Sequence, residues 1–138
     1  MSEYIEKEVH HLYYDYDENC ARTSLKCLSH LFAFPLSDDV LSAATGMHGA
    51  GYYGAQCGLV EGPLMFIGLY GNKKGLDRNE IVKLCHDFAS EFERNFSSLR
   101  CRELRPGGFS PDDPPHLCEC LSVKAIQFSY EFLKDRMG

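Results

Sequence analysis

Residues 78–96, RNEIVKLCHDFASEFERNF, place Ile81, Leu84, Cys85, Phe88, Phe92 and Phe96 at intervals of three and four. At 3.6 residues per turn these side chains form one apolar stripe, with Lys83, Asp87, Glu91 and Glu93 elsewhere on the cylinder. The same reading extends outward in both directions. Residues 3–17 (EYIEKEVHHLYYDYD) predict a first helix stopped by the acidic run before Asn19. Asn19 is an N-cap for a second helix over 20–34, with Ala21, Leu25, Leu28 and Phe32 on one face and Pro35 ending it. Ser37, with Asp38 and Asp39, caps a short third helix through Ala44. A last helix carries Leu121, Ala125, Phe128 and Phe132 on one stripe. No strand-like alternation of useful length occurs, so the expected fold is all-α. The chain reads as one domain, residues 1–138: a compact bundle of about five to six helices with a glycine-rich loop at 46–58 and a second loop at 106–115, PGGFSPDDPP.

The totals narrow the function. A chain of 138 residues can bury a core without disulfides. Its net charge of −6, with 14 basic and 20 acidic residues and no basic cluster, lacks the footprint of a nucleic-acid binder. The start does not resemble a signal peptide, and the longest apolar run is too short and too rich in glycine to span a bilayer. The expectation is a cytoplasmic protein with no membrane insertion and no nucleic-acid partner.

Seven cysteines cannot all pair within one chain. Such a number in a reducing compartment points to metal binding or redox chemistry more than to stapling. Cys-x-x-Cys and the haem-attachment motif are both absent, so haem is not expected. Cys20 and Cys27 are separated by about 10.5 Å along one helix, beyond a disulfide's span, and Cys118 and Cys120 diverge on another. A site must therefore gather cysteines from different helices. Cys27 and Cys85 lie among apolar neighbours and read as core residues. Cys20 and Cys57 each stand at the start of a helix, where amide hydrogens and the helix dipole favour a thiolate. Cys118 shares the apolar stripe of the last helix, whereas Cys120 aligns with Lys124, Gln127 and Glu131.

Residues 46–71, GMHGAGYYGAQCGLVEGPLMFIGLYG, hold eight of the twelve glycines around Cys57 and run into an apolar, buried-looking helix. Glycines 46, 49, 51 and 54 permit a loop whose amides converge on an anionic sulfur as a nest, which makes Cys57 the expected most acidic thiol. Gly58 and Gly62, one turn apart, leave a strip without side chains beside Cys57. Another backbone or a cofactor can lie there, and both glycines are expected cofactor contacts. His48 and His116 lie near the candidate cysteines, but each reads first as a residue without a ligand role. GMHGAG is a poor dinucleotide loop, with no strand before it. Glu61 reads as a first-turn acid or a proton relay.

With its cysteines so placed, the chain resembles the family of redox-active proteins named for its cysteine pattern, C_GCAxxG_C_C. The resemblance covers about residues 10–135 and rests on NCARTSL, GMHGAG, CGLVEG, SSLRCREL and CECLSVKAI. It implies a quartet of Cys20, Cys57, Cys101 and Cys118, the last preferred over Cys120 because Leu121, Ala125 and Ile126 follow it at the family's spacing. Leu59 stands where the family has alanine, which narrows any cofactor space beside Cys57. Pro63 falls inside the next helix, where a kink is expected, and His48 replaces a small residue. The helical part of split-Soret cytochromes is related, so the resemblance implies an iron–sulfur cluster or another thiolate-bound metal on this quartet, without haem.

Two forms of redox activity follow: an iron–sulfur or iron site for electron transfer or sensing, and thiol–disulfide exchange by the same four catalytic cysteines. Either implies a redox partner protein, and a homodimer is left open. A structural zinc site, with His116 or His48 as a ligand, is a third reading. The alternative of another class is a binding or scaffolding domain with core cysteines.

Overall fold

The computed structural model describes residues 2–105 and 116–138. The expected loop at 106–115 lies outside the described residues. Five long helices carry the fold: α1 (Ser2–Tyr16), α2 (Cys20–Leu31), α5 (Gly58–Lys73), α6 (Arg78–Phe96) and α8 (Glu119–Met137). Three short elements join them: α3 (Asp38–Ala43), α4 (Gly49–Tyr52) and α7 (Cys101–Leu104). The fold is all-α. Among the described residues the one extended pairing is an antiparallel bridge between Gln56 and Arg100.

Local chemistry sets the helix ends. The Asn19 side chain accepts from the Arg22 amide at 2.8 Å, so α2 opens at Cys20. Ser37 caps α3 through the Val40 amide. Asp77 and Glu80 form a reciprocal capping box that starts α6 at Arg78. The expected extension of α2 to Phe34 stops three residues earlier, at Leu31. Ala33 turns left-handed there (φ 51°), and the Ser29 hydroxyl donates to the Phe34 carbonyl at 2.6 Å. α5 continues through Pro63 as one helix.

α5 is the hub. It packs on α2, α6 and α8, and α1 closes against α2 and α8. α5 buries Leu59, Val60, Phe66 and Ile67, while α6 contributes Phe88 and Phe92. Phe88 meets Phe132 edge to face at 5.3 Å and Phe128 at 5.6 Å, so the α6–α8 contact is an aromatic cluster. Of the expected α8 stripe Ala125 and Phe132 are buried and Leu121 and Phe128 partly buried, while the buried face also takes in Ser122, Ile126, Ser129 and Leu133. Both serines fit there because their hydroxyls donate to carbonyls one turn back, Cys118 and Ala125, at 2.8 and 2.9 Å. No helix among the described residues is long and apolar enough to cross a membrane.

Candidate thiol site

Four segments bring Cys20, Cys57, Cys101 and Cys118 to the wall of one cavity of about 60 Å³, which is also lined by Tyr13 and His48. Each cysteine stands at an element boundary: Cys20 opens α2, Cys57 caps α5, Cys101 opens α7 and Cys118 precedes α8. The bridge between residues 56 and 100 aligns two of them. The Cys57 amide donates to Leu99 O at 2.8 Å and the Cys101 amide to Ala55 O at 2.7 Å. Side chains alternate along extended backbone, so Cys57 and Cys101 leave the bridge on the side opposite to Gln56 and Arg100. At the other side Asn19 holds the start of α2 against the chain that enters the glycine loop, its side-chain amide donating to Ala44 O and Thr45 O at 3.3 and 2.9 Å.

The Cys20 sulfur lies against the backbone of Gly58, next to Cys57. The Cys20 thiol, and then burial, raise the Cys57 pKa far above the ordinary thiol value. The helix start supplies one amide to the Cys57 sulfur, from Leu59 at 3.4 Å, which opposes the shift without reversing it. The expectation that Cys57 is the most acidic thiol is therefore corrected. The reason lies in the loop. The amides of Gly51, Tyr52, Gly54 and Ala55 are spent on the carbonyls of Gly46, His48 and Gly49 rather than on sulfur.

That loop is a single left-handed turn. Gly49, Ala50, Gly51 and Tyr52 have φ of 69°, 54°, 66° and 67° in succession. Left-handed backbone costs about 1–2 kcal/mol for each residue carrying a Cβ, so Ala50 and Tyr52 are strained. Gly49 is required twice over, by its φ and because a Cβ there would lie 2.8 Å from Cys101 Cβ and 3.0 Å from its sulfur. Gly49 thus serves close packing of Cys101, and Gly54 that of Arg102, whereas a Cβ at Gly46 or Gly51 would meet nothing within 4 Å.

Of the two occupants expected for the Gly58–Gly62 strip, the structure gives another backbone. A Cβ at Gly58 would stand 2.4 Å from Cys20 Sγ and 2.7 Å from the Ala21 amide nitrogen, and one at Gly62 would stand 2.6 Å from Ala21 O. The first turn of α2 fills the space in which a cofactor would have touched these two glycines. Leu59 is buried and lines the cavity beside Cys57, in keeping with the narrowing expected of it.

Burial, with the charges of Cys57 and Cys118, pushes the Cys101 thiol up to about 11, opposed by the Arg105 guanidinium. Cys120 is exposed and does not line the cavity. Cys27 is fully buried in α2, away from the cavity, and burial followed by the Glu8 charge raises it to about 12. Cys85 also lies apart, half-buried on α6. Under native conditions at neutral pH, iodoacetamide is expected to label Cys120 first and leave Cys27 untouched, as peptide mass mapping would show.

Both histidines singled out from the sequence line the cavity. His116 stacks on Tyr13 at 4.8 Å, and its Nε2 pairs with Asp17 at 2.9 Å. The His48 ring meets Tyr52 edge-on at 4.4 Å. Glu61 accepts a hydrogen bond from the Gln56 side chain and is not part of the lining. Sequence reasoning missed Tyr13, Glu18, Tyr52 and Arg105. Tyr13 had a signal, since it extends the buried stripe of Ile5, Val9 and Leu12 with a hydroxyl at its end. The Ser122 hydroxyl donates its one hydrogen to Cys118 O, so the Tyr13 hydroxyl donates to Ser122 Oγ, at 2.6 Å. Burial, then the Cys20 charge, raises the Tyr13 pKa and keeps its phenol protonated.

No group of three or more His, Cys, Asp or Glu side chains that could hold a metal ion occurs among the described residues. The cavity brings together four thiols, those of Cys20, Cys57, Cys101 and Cys118. Fold and site define a helical domain centred on a thiol-lined cavity. The chain belongs to the family described as "Putative redox-active protein (C_GCAxxG_C_C)", whose family model matches residues 18–132 and so takes in all four cavity cysteines. No curated protein and no solved structure matches the chain.

Proposed function

We propose that the protein carries out thiol–disulfide exchange, with Cys20 and Cys57 as the exchanging pair. The observation that carries this reading is that thiols from two different helices meet at one cavity, with the Cys20 sulfur lying against the backbone of Gly58, the residue next to Cys57. Cys20 is half-buried at a helix start, whereas Cys57 is only 4% exposed. Cys20 is therefore the thiol that an external disulfide reaches, and Cys57 the one that resolves.

In the first step Cys20, as thiolate, bonds to one sulfur of a partner protein's disulfide while that S–S bond breaks and the other sulfur leaves as a thiolate. In the second, Cys57 gives up its proton and attacks Cys20. The Cys20–Cys57 bond forms and the partner's remaining sulfur departs. The pair loses two electrons and two protons, and the partner's disulfide becomes two thiols. Cys101 and Cys118 line the same cavity and offer it two further thiols.

Metal analysis and thiol titration of protein purified without oxygen test this reading. The expected result is a metal-free chain whose seven free thiols fall by two on mild oxidation and return with dithiothreitol, with a peptide linking Cys20 to Cys57. In Cys57→Ser the partner stays attached, and a mixed disulfide accumulates on Cys20. Iron with acid-labile sulfide would replace the proposal by the cluster that the family resemblance implies, and one equivalent of zinc by a structural site. Seven thiols unmoved by oxidant, without metal, would leave the binding or scaffolding domain.

A further inference from the structure

Four left-handed residues in a row close the thiol cavity on one side. Tyr52 lines the cavity, and Gly49 sits so near Cys101 that a Cβ would stand 3.0 Å from its sulfur. Behind this turn Cys57 is 4% exposed and Cys101 8%. The space beside them, about 60 Å³, holds a few waters and no larger reactant. A reagent from outside therefore reaches Cys101 only when some segment moves.

The turn is strained where packing gives nothing in return. Ala50 is exposed at φ 54°, so its Cβ carries the left-handed penalty without burying a side chain, and Tyr52, at φ 67°, is 60% exposed. The conformation is kept by bonds within the turn and at the surface. The Gly51 and Tyr52 amides donate to Gly46 O and His48 O, each at 3.1 Å. Arg102 Nη2 donates to Tyr53 O at 2.8 Å, with its guanidinium 5.7 Å from the centre of the Tyr53 ring. Glycines stand at both ends, Gly46 and Gly54, where the backbone can change direction without conflict from its own Cβ. Left-handed residues that carry a Cβ persist only where their surroundings hold them, and they concentrate in switch segments.

We propose that residues 46–54 are a lid on the thiol cavity, opening as a unit between Gly46 and Gly54 to uncover Cys101 while the helices stay folded. Opening releases the strain at Ala50 and Tyr52, which sets the open state closer in free energy to the closed one than the unfolded chain is. The lid goes beyond the thiol–disulfide reading and does not rest on it, since a buried thiol must be uncovered whether it meets a disulfide, a metal or an oxidant.

Native-state labelling reads access alone. Fully reduced protein is treated with N-ethylmaleimide at pH 7.5 in increasing, subdenaturing urea, and peptide mass mapping follows Cys101 and Cys27. Cys27 is fully buried away from the cavity and gauges global unfolding. In wild type Cys101 is expected to label at least tenfold faster than Cys27, with a shallower urea dependence, because a local opening exposes little surface. Ala50→Gly removes one left-handed Cβ from the closed turn, partly offset by the freedom glycine adds to the open one, and is expected to slow Cys101 labelling about fivefold. Ala50→Val sets a branched side chain at the same φ and is expected to speed it about fivefold. Cys101 labelling that matches Cys27 in rate and urea dependence would overturn the proposal, since only global unfolding would then expose it. A local opening that neither Ala50 variant changes would also overturn it, because a different segment would be the one that moves. If Ala50→Val does not fold, Ala50→Gly decides alone. Failure to form a Cys20–Cys57 disulfide would remove the exchange reading and leave these labelling rates, and the lid, standing.

Discussion

Alanine at Gly58 is expected to lower the thermal midpoint by about 10 °C, whereas alanine at Gly68 in the same helix is expected to raise it by a few degrees. The added methyl at Gly58 would meet Cys20 Sγ at 2.4 Å, the Ala21 amide nitrogen at 2.7 Å and Met47 O at 3.1 Å. Two of the three are backbone atoms of other segments, so relief requires α2 and α5 to separate. Forced overpacking of this kind costs about 1–3 kcal/mol, and at the upper end a domain of this size loses roughly 10 °C. A Cβ at Gly68 meets nothing within 4 Å, and alanine there gains about 0.5–1 kcal/mol over glycine in a helix. Differential scanning calorimetry of the two variants checks the sign and the size. Gly58→Ala should also slow formation of the Cys20–Cys57 link, because the separation that relieves the clash moves the two sulfurs apart.

The second large effect is expected far from the thiols. Phe88→Ala should destabilise the protein by about 3–5 kcal/mol, the range for deleting a buried aromatic ring. Phe88 is fully buried between α6 and α8, with Phe92, Phe128 and Phe132 around it at 6.0, 5.6 and 5.3 Å. Those rings hold one another, which limits collapse into the vacated space. Urea unfolding should show a lower midpoint with an unchanged slope, the signature of lost stability without a changed unfolded state. None of these rings lines the cavity, so the folded fraction should still form the Cys20–Cys57 link. Phe88→Ala thus loses stability with its thiol chemistry intact, whereas Gly58→Ala loses both.

The α6 stripe from Ile81 to Phe96 was legible because helix periodicity and capping are carried by residues within a few positions of one another. Asn19, Ser37 and the boundaries Arg78 and Phe96 were legible for the same reason. The position of Cys57 at a helix start was signalled by the glycine loop that ends beside it. Less legible was the buried face of α8. Ser122 and Ser129 look polar in a one-dimensional pattern, and only their hydroxyl bonds to the preceding turn make them suited to a core.

The site divides along the same line. Sequence by itself determined which residues are thiols and which of them stand at helix starts, and the family resemblance singled out the four that line the cavity. Tertiary structure alone decided the upward shift of the Cys57 pKa, because the Cys20 thiol, 37 positions away in sequence, and removal from water together outweigh the single helix amide at its sulfur. It also decided that α2 fills the Gly58–Gly62 strip, and that the loop amides close on their own carbonyls. His48 was visible as one histidine in a glycine loop. That its Nδ1 is buried without a partner was not visible there. Desolvation and through-space hydrogen bonding belong to pairs of segments brought together by packing, so they became readable only once the helices were in place.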